Sequence, residues 1–285
     1  MKLSSKIDLE RAALKIRIGI IKAISSNHGG HIGGSLDLAD LMAVVYSDFM
    51  RVDPLIPDKE DRDFMIFSKG HAGPALYSTL AMKGYFPYDR LENLNNPNSL
   101  LPGHCDRTKV PGVDATSGSL GQGLSIACGV ALAAKVKATN QRVFCVTGDG
   151  ESAEGQIWEA AQCAAHFKLD NLIAFLDWNK KQIDGNNDEV MALGDAVAKY
   201  RAFGWNAELV KGTDVLAIQG AIKNAIENPN EKPTMIVLDT IKGQGCQCVM
   251  NLANNHCIGF PDDMKKKVVE ELSNRGHELG MEVYL

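Results

Sequence analysis

VFCVTGDGESAEGQIWEAAQ, residues 143 to 162, decides the fold. Five β-prone residues run directly into Gly148-Asp149-Gly150, and a helical pattern follows at once. A continuous apolar run that short, closed by glycine, reads as a strand buried on both faces. The same alternation continues outward in both directions. Asp8 is placed to cap a helix with apolar positions Leu9, Ala12, Leu14, Ile16, Ile20 and Ile24, ending at Asn27-His28-Gly29-Gly30. A second helix is expected from about Leu38 to Phe49, a strand at Phe64–Phe67, a helix at Pro74–Lys83, and a long ordered loop from Asn93 to Gly112. Beyond the glycines at 118–123 an alanine-rich helix runs to about Lys137. Strands are expected at 142–147, 171–177, 205–210 and 234–240, helices at about 154–167 and 214–227, and a charged helix near the C-terminus. Strands separated by helices predict an α/β fold, a parallel central sheet with helices on both faces.

The 285 residues, 45% of them hydrophobic, suffice for one sizeable core. A formal net charge of −5 gives no electrostatic reason to expect nucleic acid as a partner. The opening MKLSSKIDLERAALKIR lacks a signal-peptide core, and no apolar run approaches the roughly 18 residues that span a bilayer. The expectation is a cytoplasmic protein with no membrane partner, its seven cysteines reduced. Cys246 and Cys248 form a lone C-x-C; without a second pair at metal spacing it is not read as a zinc site.

An acid between two glycines at a strand's carboxyl end needs a reason. Ligands of open parallel sheets bind there. Gly148 and Gly150 let the backbone turn and approach a ligand, and the amino end of the following helix favours phosphate. A bare carboxylate would repel phosphate, so a divalent cation between the two is the natural resolution; magnesium commonly bridges a carboxylate and phosphates. The next strand runs into Asp177-Trp178-Asn179-Lys180-Lys181-Gln182-Ile183-Asp184-Gly185. Asn179 offers a side-chain oxygen and Lys181 its backbone carbonyl, so Asp149, Asn179 and Lys181 are the expected metal ligands. Taken alone, G-D-G reads better as a surface turn. The strand before it, the helix after it and the polar segment on the next strand reverse that preference.

Two further features bear on the site. Thr116-Ser117-Gly118-Ser119-Leu120-Gly121-Gln122-Gly123 is neither a dinucleotide fingerprint nor a Walker loop; it reads as backbone approaching a ligand, or as glycine serving helix packing alone. Of the seven histidines, His166 and His277 read as structural or exposed. His28, His31, His71, His104 and His256 all fall in glycine- or asparagine-rich turns. Imidazole titrates near pH 6.5 and can move protons either way at cellular pH.

Gly-Asp-Gly, a span of about thirty residues and then Asn resembles the thiamin diphosphate signature. More narrowly, G-D-G-E-S-x-E-G-Q-x-W-E-A, T-S-G-S-L-G-Q-G, S-K-G-H-A and P-G-H look like the amino-terminal half of transketolase, from roughly residue 10 to 260. The resemblance implies a single diphosphate-binding domain over 1–285, binding thiamin diphosphate with Mg2+ (Ca2+ or Mn2+ substituting). It implies that His31, His71, His104 and His256 line the substrate channel and handle protons. It implies cofactor contacts from His71, Gly118, Leu120, Gly121, Gly148, Asp149, Gly150, Glu154, Asn179 and His256. Glu154 equally reads as a helix-dipole partner, and Asp177 as a support for the metal loop or a plain strand-end residue. Trp158 reads as an anchor, and Lys242 receives no chemical role. His28 has no clear family counterpart and reads either as loop or as channel lining. Cys257 stands where the family usually has Gly.

Family members carry a pyrimidine-binding and a third domain after this region, whereas this sequence ends at Leu285. The expectation is therefore the smaller subunit of a split transketolase. It would be inactive alone, paired with a pyrimidine-binding C-terminal subunit, self-associated into a heterotetramer, and acting on sugar phosphates or related sugars. The choice between pentose-phosphate ketoses and a sugar acid, branched sugar or sulfosugar stays open. Half of another thiamin enzyme, such as deoxyxylulose-phosphate synthase, is the alternative within the class; a non-catalytic structural subunit is the alternative outside it.

Overall fold

The computed structural model describes residues 3–25 and 29–283. His28, and with it the expected helix break at Asn27-His28, lies outside the described residues. Two sheets form. β1 (Gly30–His31) pairs antiparallel with β7 (Cys257–Ile258). The main sheet comprises β2 (Phe64–Phe67), β3 (Val143–Gly148), β4 (Leu172–Trp178), β5 (Asn206–Lys211) and β6 (Thr234–Asp239), all parallel, in the order β2-β3-β4-β6-β5.

The helices are α1 (Lys6–Ile24), α2 (Gly33–Leu36), α3 (Ala39–Val44), α4 (Gly73–Lys83), α5 (Gln122–Val136) and α6 (Gly155–His166), then α7 (Asn187–Val190), α8 (Ala196–Ala202), α9 (Val215–Glu227), α10 (Gln247–Met250) and α11 (Asp262–Glu278). Their placement follows from the two-residue period of the strands. Phe144, Val146, Ile173, Phe175, Ile236 and Leu238 face a cluster built from α1, α3, α4, α9 and α11. Val143, Cys145, Leu172, Ala174, Leu176, Met235 and Val237 face a second cluster with α5, α6 and α8. The central strands are apolar at successive positions because both faces are covered, and each fully buried large aliphatic side chain stabilises by roughly 1.5–3 kcal/mol. β5 is the exception: Glu208 and Lys211 keep that edge polar, which discourages pairing with another chain.

Three expectations need correction. α1 starts earlier than Asp8: Ser5 is its N-cap, its hydroxyl accepting from the Asp8 N–H at 3.3 Å while donating to the Asp8 carboxylate at 2.6 Å. Asp8 is the partner three residues on, as in a capping box. The single helix expected over 38–49 is instead α3 followed by a π-helical turn, Val45–Phe49, and a short α2 precedes it. After Gly-Asp-Gly comes a 3-10 turn, Gly150–Ala153, and α6 starts only at Gly155. The amino end of α6 is thus set back from Asp149, and the N–H presented there is that of Gly150. No described helix is long and apolar enough to cross a membrane.

Candidate functional site

The carboxyl ends of β2, β3, β4 and β6 converge on a cavity of about 190 Å3. β3 delivers Gly148, Asp149 and Gly150; β4 delivers Asn179, Lys181 and Gln182; the segment after β2 delivers Lys69 and His71; the segment after β6 delivers Lys242 and His256. Leu120, from the glycine segment, closes one side.

Asp149 is 5% exposed. One of its oxygens accepts the Gly150 N–H at 2.7 Å and the other the Lys180 N–H at 2.5 Å, which folds the 179–182 loop over the end of β3. Burial, and next the charge of Asp177, push the carboxyl up to about 6. Asn179 Nδ2 donates to Asp37 Oδ2 at 2.9 Å and Asp177 Oδ2 at 3.2 Å, leaving Oδ1 to accept the Lys181 N–H at 3.1 Å. The Lys181 carbonyl accepts from Lys242 Nζ at 3.2 Å. The three expected metal ligands are therefore brought to one place, and each of their oxygens has one donor and a lone pair to spare.

Gly148 and Gly150 have ordinary negative φ; their role is space rather than turning. A Cβ on Gly150 would sit 2.9 Å from Gln182 Cγ, and one on Gly148 would touch Lys69 Cδ at 3.4 Å. Gly121 does need its glycine, with φ +84 at the start of α5.

Beneath the cavity runs a buried charge network that spacing alone does not reveal. Lys69 Nζ donates to Asp177 and, at 2.9 Å, to the Gly34 carbonyl. Burial pulls its ammonium down, but Asp177 and Asp37 outweigh that and hold it above its ordinary value. Asp177 also accepts from Thr240 Oγ1 at 2.5 Å. Asp37 accepts the Gly243 and Gln244 N–H groups at 2.6 and 3.3 Å, and burial followed by Asp177 raises its carboxyl. Glu151 accepts from Ser68 Oγ, from Gly121 N–H at 2.7 Å and from Gly148 N–H at 2.9 Å, and so ties the glycine segment to Gly-Asp-Gly.

Four histidines stand together at the mouth. His31 lies 5.2, 5.3 and 5.1 Å from His71, His104 and His256 between ring centroids, and His71 lies 5.0 Å from His256. The β1–β7 ladder brings His31 and His256 together, and the Tyr77 hydroxyl donates to the His104 carbonyl at 2.9 Å. Burial lowers His31 to about 4, with His104 and then Lys242 adding to it. It lowers His71 to about 2, with Lys69 next, and His256 to about 4, with Lys242 next. At neutral pH these three rings are therefore uncharged, with a free ring nitrogen to accept a hydrogen bond. Lys242 Nζ lies 3.2 Å from His256 Nδ1.

Not every expected residue lines the cavity. Glu154 and Gly118 are exposed, as is His104. Glu154 packs against Gly121, and Gly118 against the His104 ring. Sequence reasoning passed over Lys69, Asp37, Glu151, Gln182 and Lys242. Lys69 lay in S-K-G-H-A and Lys242 in T-I-K-G-Q-G, both following strands, which was the available signal.

The residues suit a dication with a phosphorylated ligand. Asp149 is a buried acid that a cation would return to its ionised form. Lys242 faces the same cavity, and Gln182 Nε2 is buried there without a hydrogen-bond partner among the described residues. The cavity is smaller than the roughly 300 Å3 at which small-molecule pockets begin. It suits the anionic end of a larger ligand, and it opens next to His71 and His256.

The profile of the family described as "Transketolase, thiamine diphosphate binding domain" matches residues 9–280. The 6-deoxy-6-sulfo-D-fructose transketolase subunit SqwG of a Clostridium species is 43% identical over 271 residues, covering 95% of this chain and 98% of that one. An apulose-4-phosphate transketolase subunit of Phocaeicola vulgatus is 36% identical over 275 residues, covering 96% and 97%. The structure of Pichia stipitis transketolase in complex with sedoheptulose-7-phosphate superposes with a TM-score of 0.86 at 33% identity, over 98% of this chain and 41% of that chain. The chain thus spans nearly the whole of relatives named as subunits and about two-fifths of a full-length transketolase.

Proposed function

The chain belongs to the transketolase family as its thiamine diphosphate binding domain, and from that premise we propose that it is the diphosphate-binding half of a two-chain enzyme moving a two-carbon ketol unit from a ketose to an aldose. The observation that carries this reading is the ring of four histidines at the mouth of a cavity bearing Asp149, Asn179 and Lys242. When bound, thiamin diphosphate supplies a carbon nucleophile and an electron sink for scission of the ketose C2–C3 bond.

The chain's own residues do the rest. Asp149, the Asn179 amide oxygen and the Lys181 carbonyl would hold Mg2+, and the Lys242 ammonium and the Gln182 amide would be the donors available to the diphosphate. Leu120, Gly121, Gly118 and Glu154 would contribute contacts to the bound cofactor. His31, His71, His104 and His256 orient the sugar hydroxyls. Burial keeps three of these rings neutral, so one can take the proton from the hydroxyl beside the breaking bond and return it to the acceptor. All of 1–285 acts as one domain. A second chain supplies the pyrimidine-binding half, two copies of each giving a heterotetramer.

Its donors are proposed to be ketoses with an anionic end, sulfonate or phosphate, as the names of its relatives suggest. The relatives described above are transketolases or transketolase subunits in both sequence and structure, which favours ketol transfer over a deoxyxylulose-phosphate synthase.

The test uses the two-chain complex with thiamin diphosphate, Mg2+ and an aldose acceptor. It offers 6-deoxy-6-sulfofructose, apulose 4-phosphate, xylulose 5-phosphate, fructose 6-phosphate and sedoheptulose 7-phosphate in turn. Transfer from at least one donor is expected, lost in Asp149→Asn. Absence of transfer from every donor by an intact complex, or full turnover by this chain alone, overturns the proposal.

A further inference from the structure

Beside Arg17 of α1, the segment after β6 makes a tight double turn. Gly243 and Gly245 both have positive φ, +88 and +84, and a side chain at Gly245 would run into the Arg17 guanidinium. The turn delivers Cys246 in extended backbone (φ −144°, ψ 96°) directly into α10, which carries Cys248. The two sulfurs stand 3.5 Å apart. Glu271 reaches in from α11, fixed by the Cys248 N–H, which donates to its carboxylate at 3.0 Å. Both sulfurs and a Glu271 oxygen lie within 4.8 Å of one another. Beside them opens a cavity of about 690 Å3 lined by Cys246, Glu271, Arg17, Asp40 and Arg275.

We propose that Cys246, Cys248 and Glu271 form a zinc site, with the fourth coordination position open to this cavity. Zinc–sulfur bonds of about 2.3 Å at a tetrahedral angle set a sulfur–sulfur edge of about 3.8 Å, close to the separation found. Two thiols and one carboxylate suit a borderline-soft dication and not magnesium. Nearby cations do not oppose it, for each is already neutralised: Arg17 by Asp40, and Arg275 by Glu10 and Glu278. Burial raises both thiols above their ordinary value, so the metal-free pair is protonated and zinc binding expels two protons. The C-x-C lacked a second cysteine pair because the third ligand is a carboxylate on another helix, 23 residues beyond Cys248. The site would clamp α11 to the segment that carries Lys242 and His256, whatever sugar the enzyme uses.

The test uses the reduced, metal-free full chain, titrated with Zn2+ in excess Mg2+. One equivalent should bind, raise Tm, and release two protons by calorimetry in buffers of different ionisation enthalpy. Co2+ in its place should give a thiolate charge-transfer absorption. Cys248→Ser and the half-buried Glu271→Gln, each checked for folding by circular dichroism, should weaken binding at least about ten-fold. The histidine ring is a rival zinc ligand, so Cys246→Ser/Cys248→Ser decides between them. Undiminished zinc binding in that variant, or no thiolate absorption with Co2+, overturns the proposal. So does a Cys246–Cys248 pair that air oxidises to a disulfide and that binds no zinc after reduction.

Discussion

A carboxylate buried beside other carboxylates costs stability when it ionises, and Asp149 gives that cost a measurable sign. Its folded value near 6 exceeds the 3.8 of an unfolded aspartate. Between those values the folded chain binds more protons, so Asp149 adds stability as pH falls from about 6 to about 3.8 and withholds it above. His31, His71 and His256 act in the opposite sense, losing stability as pH drops below 6.5. Those histidines are common to wild type and Asp149→Asn, so their effect cancels in the difference between the two. In cofactor-free protein the variant should be relatively most stable near pH 7.5, and its advantage should shrink by up to about 3 kcal/mol toward pH 4. A Tm difference that does not change with pH would show that the buried charge is not the cause. Lys242→Met should weaken Mg2+-dependent thiamin diphosphate binding at least about ten-fold while leaving the fold intact, read by calorimetry, because it removes a cation from the phosphate end. Asp149 and Asn179 were legible because each sits one or two residues past a recognisable strand. Asp37, Glu151 and Glu271 were not, since their partners come from segments far away in sequence.

At the scale of elements, two glycines of one helix should answer alanine with opposite signs. A Cβ on Gly123 would overlap the Cα of Ser68, where α5 presses on the end of β2. Gly123→Ala should cost about 1–3 kcal/mol and disturb Leu120 and Gly121, with weaker cofactor binding. Gly129, two turns on, meets nothing within 4 Å. Gly129→Ala should stabilise the isolated chain by about 0.5–1 kcal/mol. Denaturant midpoints of the two variants check the pair, and equal shifts would contradict this packing. The strands of the main sheet and most helices were readable from apolar period and punctuation, β2 matching its expected bounds residue for residue. The order β2-β3-β4-β6-β5 was not, because β5 steps past β6 to the edge and nothing local records that crossover. The stretch from 38 to 49, with the short α2 before it, misled for a different reason. Its apolar run is buried on every side, so periodicity could not mark where α2, α3 and the π turn divide it.

The whole molecule presents an unusual outer helix. α5 exposes Ile126 and Val136, at 38% and 79%, together with Gly129 and Ala133, next to the open glycine segment. Apolar surface beside an incomplete site suits contact with the second chain. Ile126→Lys should change the unfolding free energy of the isolated protein by no more than about 0.5 kcal/mol yet weaken complex formation, read by co-elution. Unchanged assembly would place the contact elsewhere. The short β1–β7 ladder bears on biosynthesis. A nascent chain that has reached Met250 already owns all five strands of the main sheet, with Asp149 and Asn179 at their ends, but lacks His256 and Cys257. Of the four clustered histidines, His256 is thus the last to be made, after His31, His71 and His104, and the mouth of the site is completed only when β7 pairs with β1.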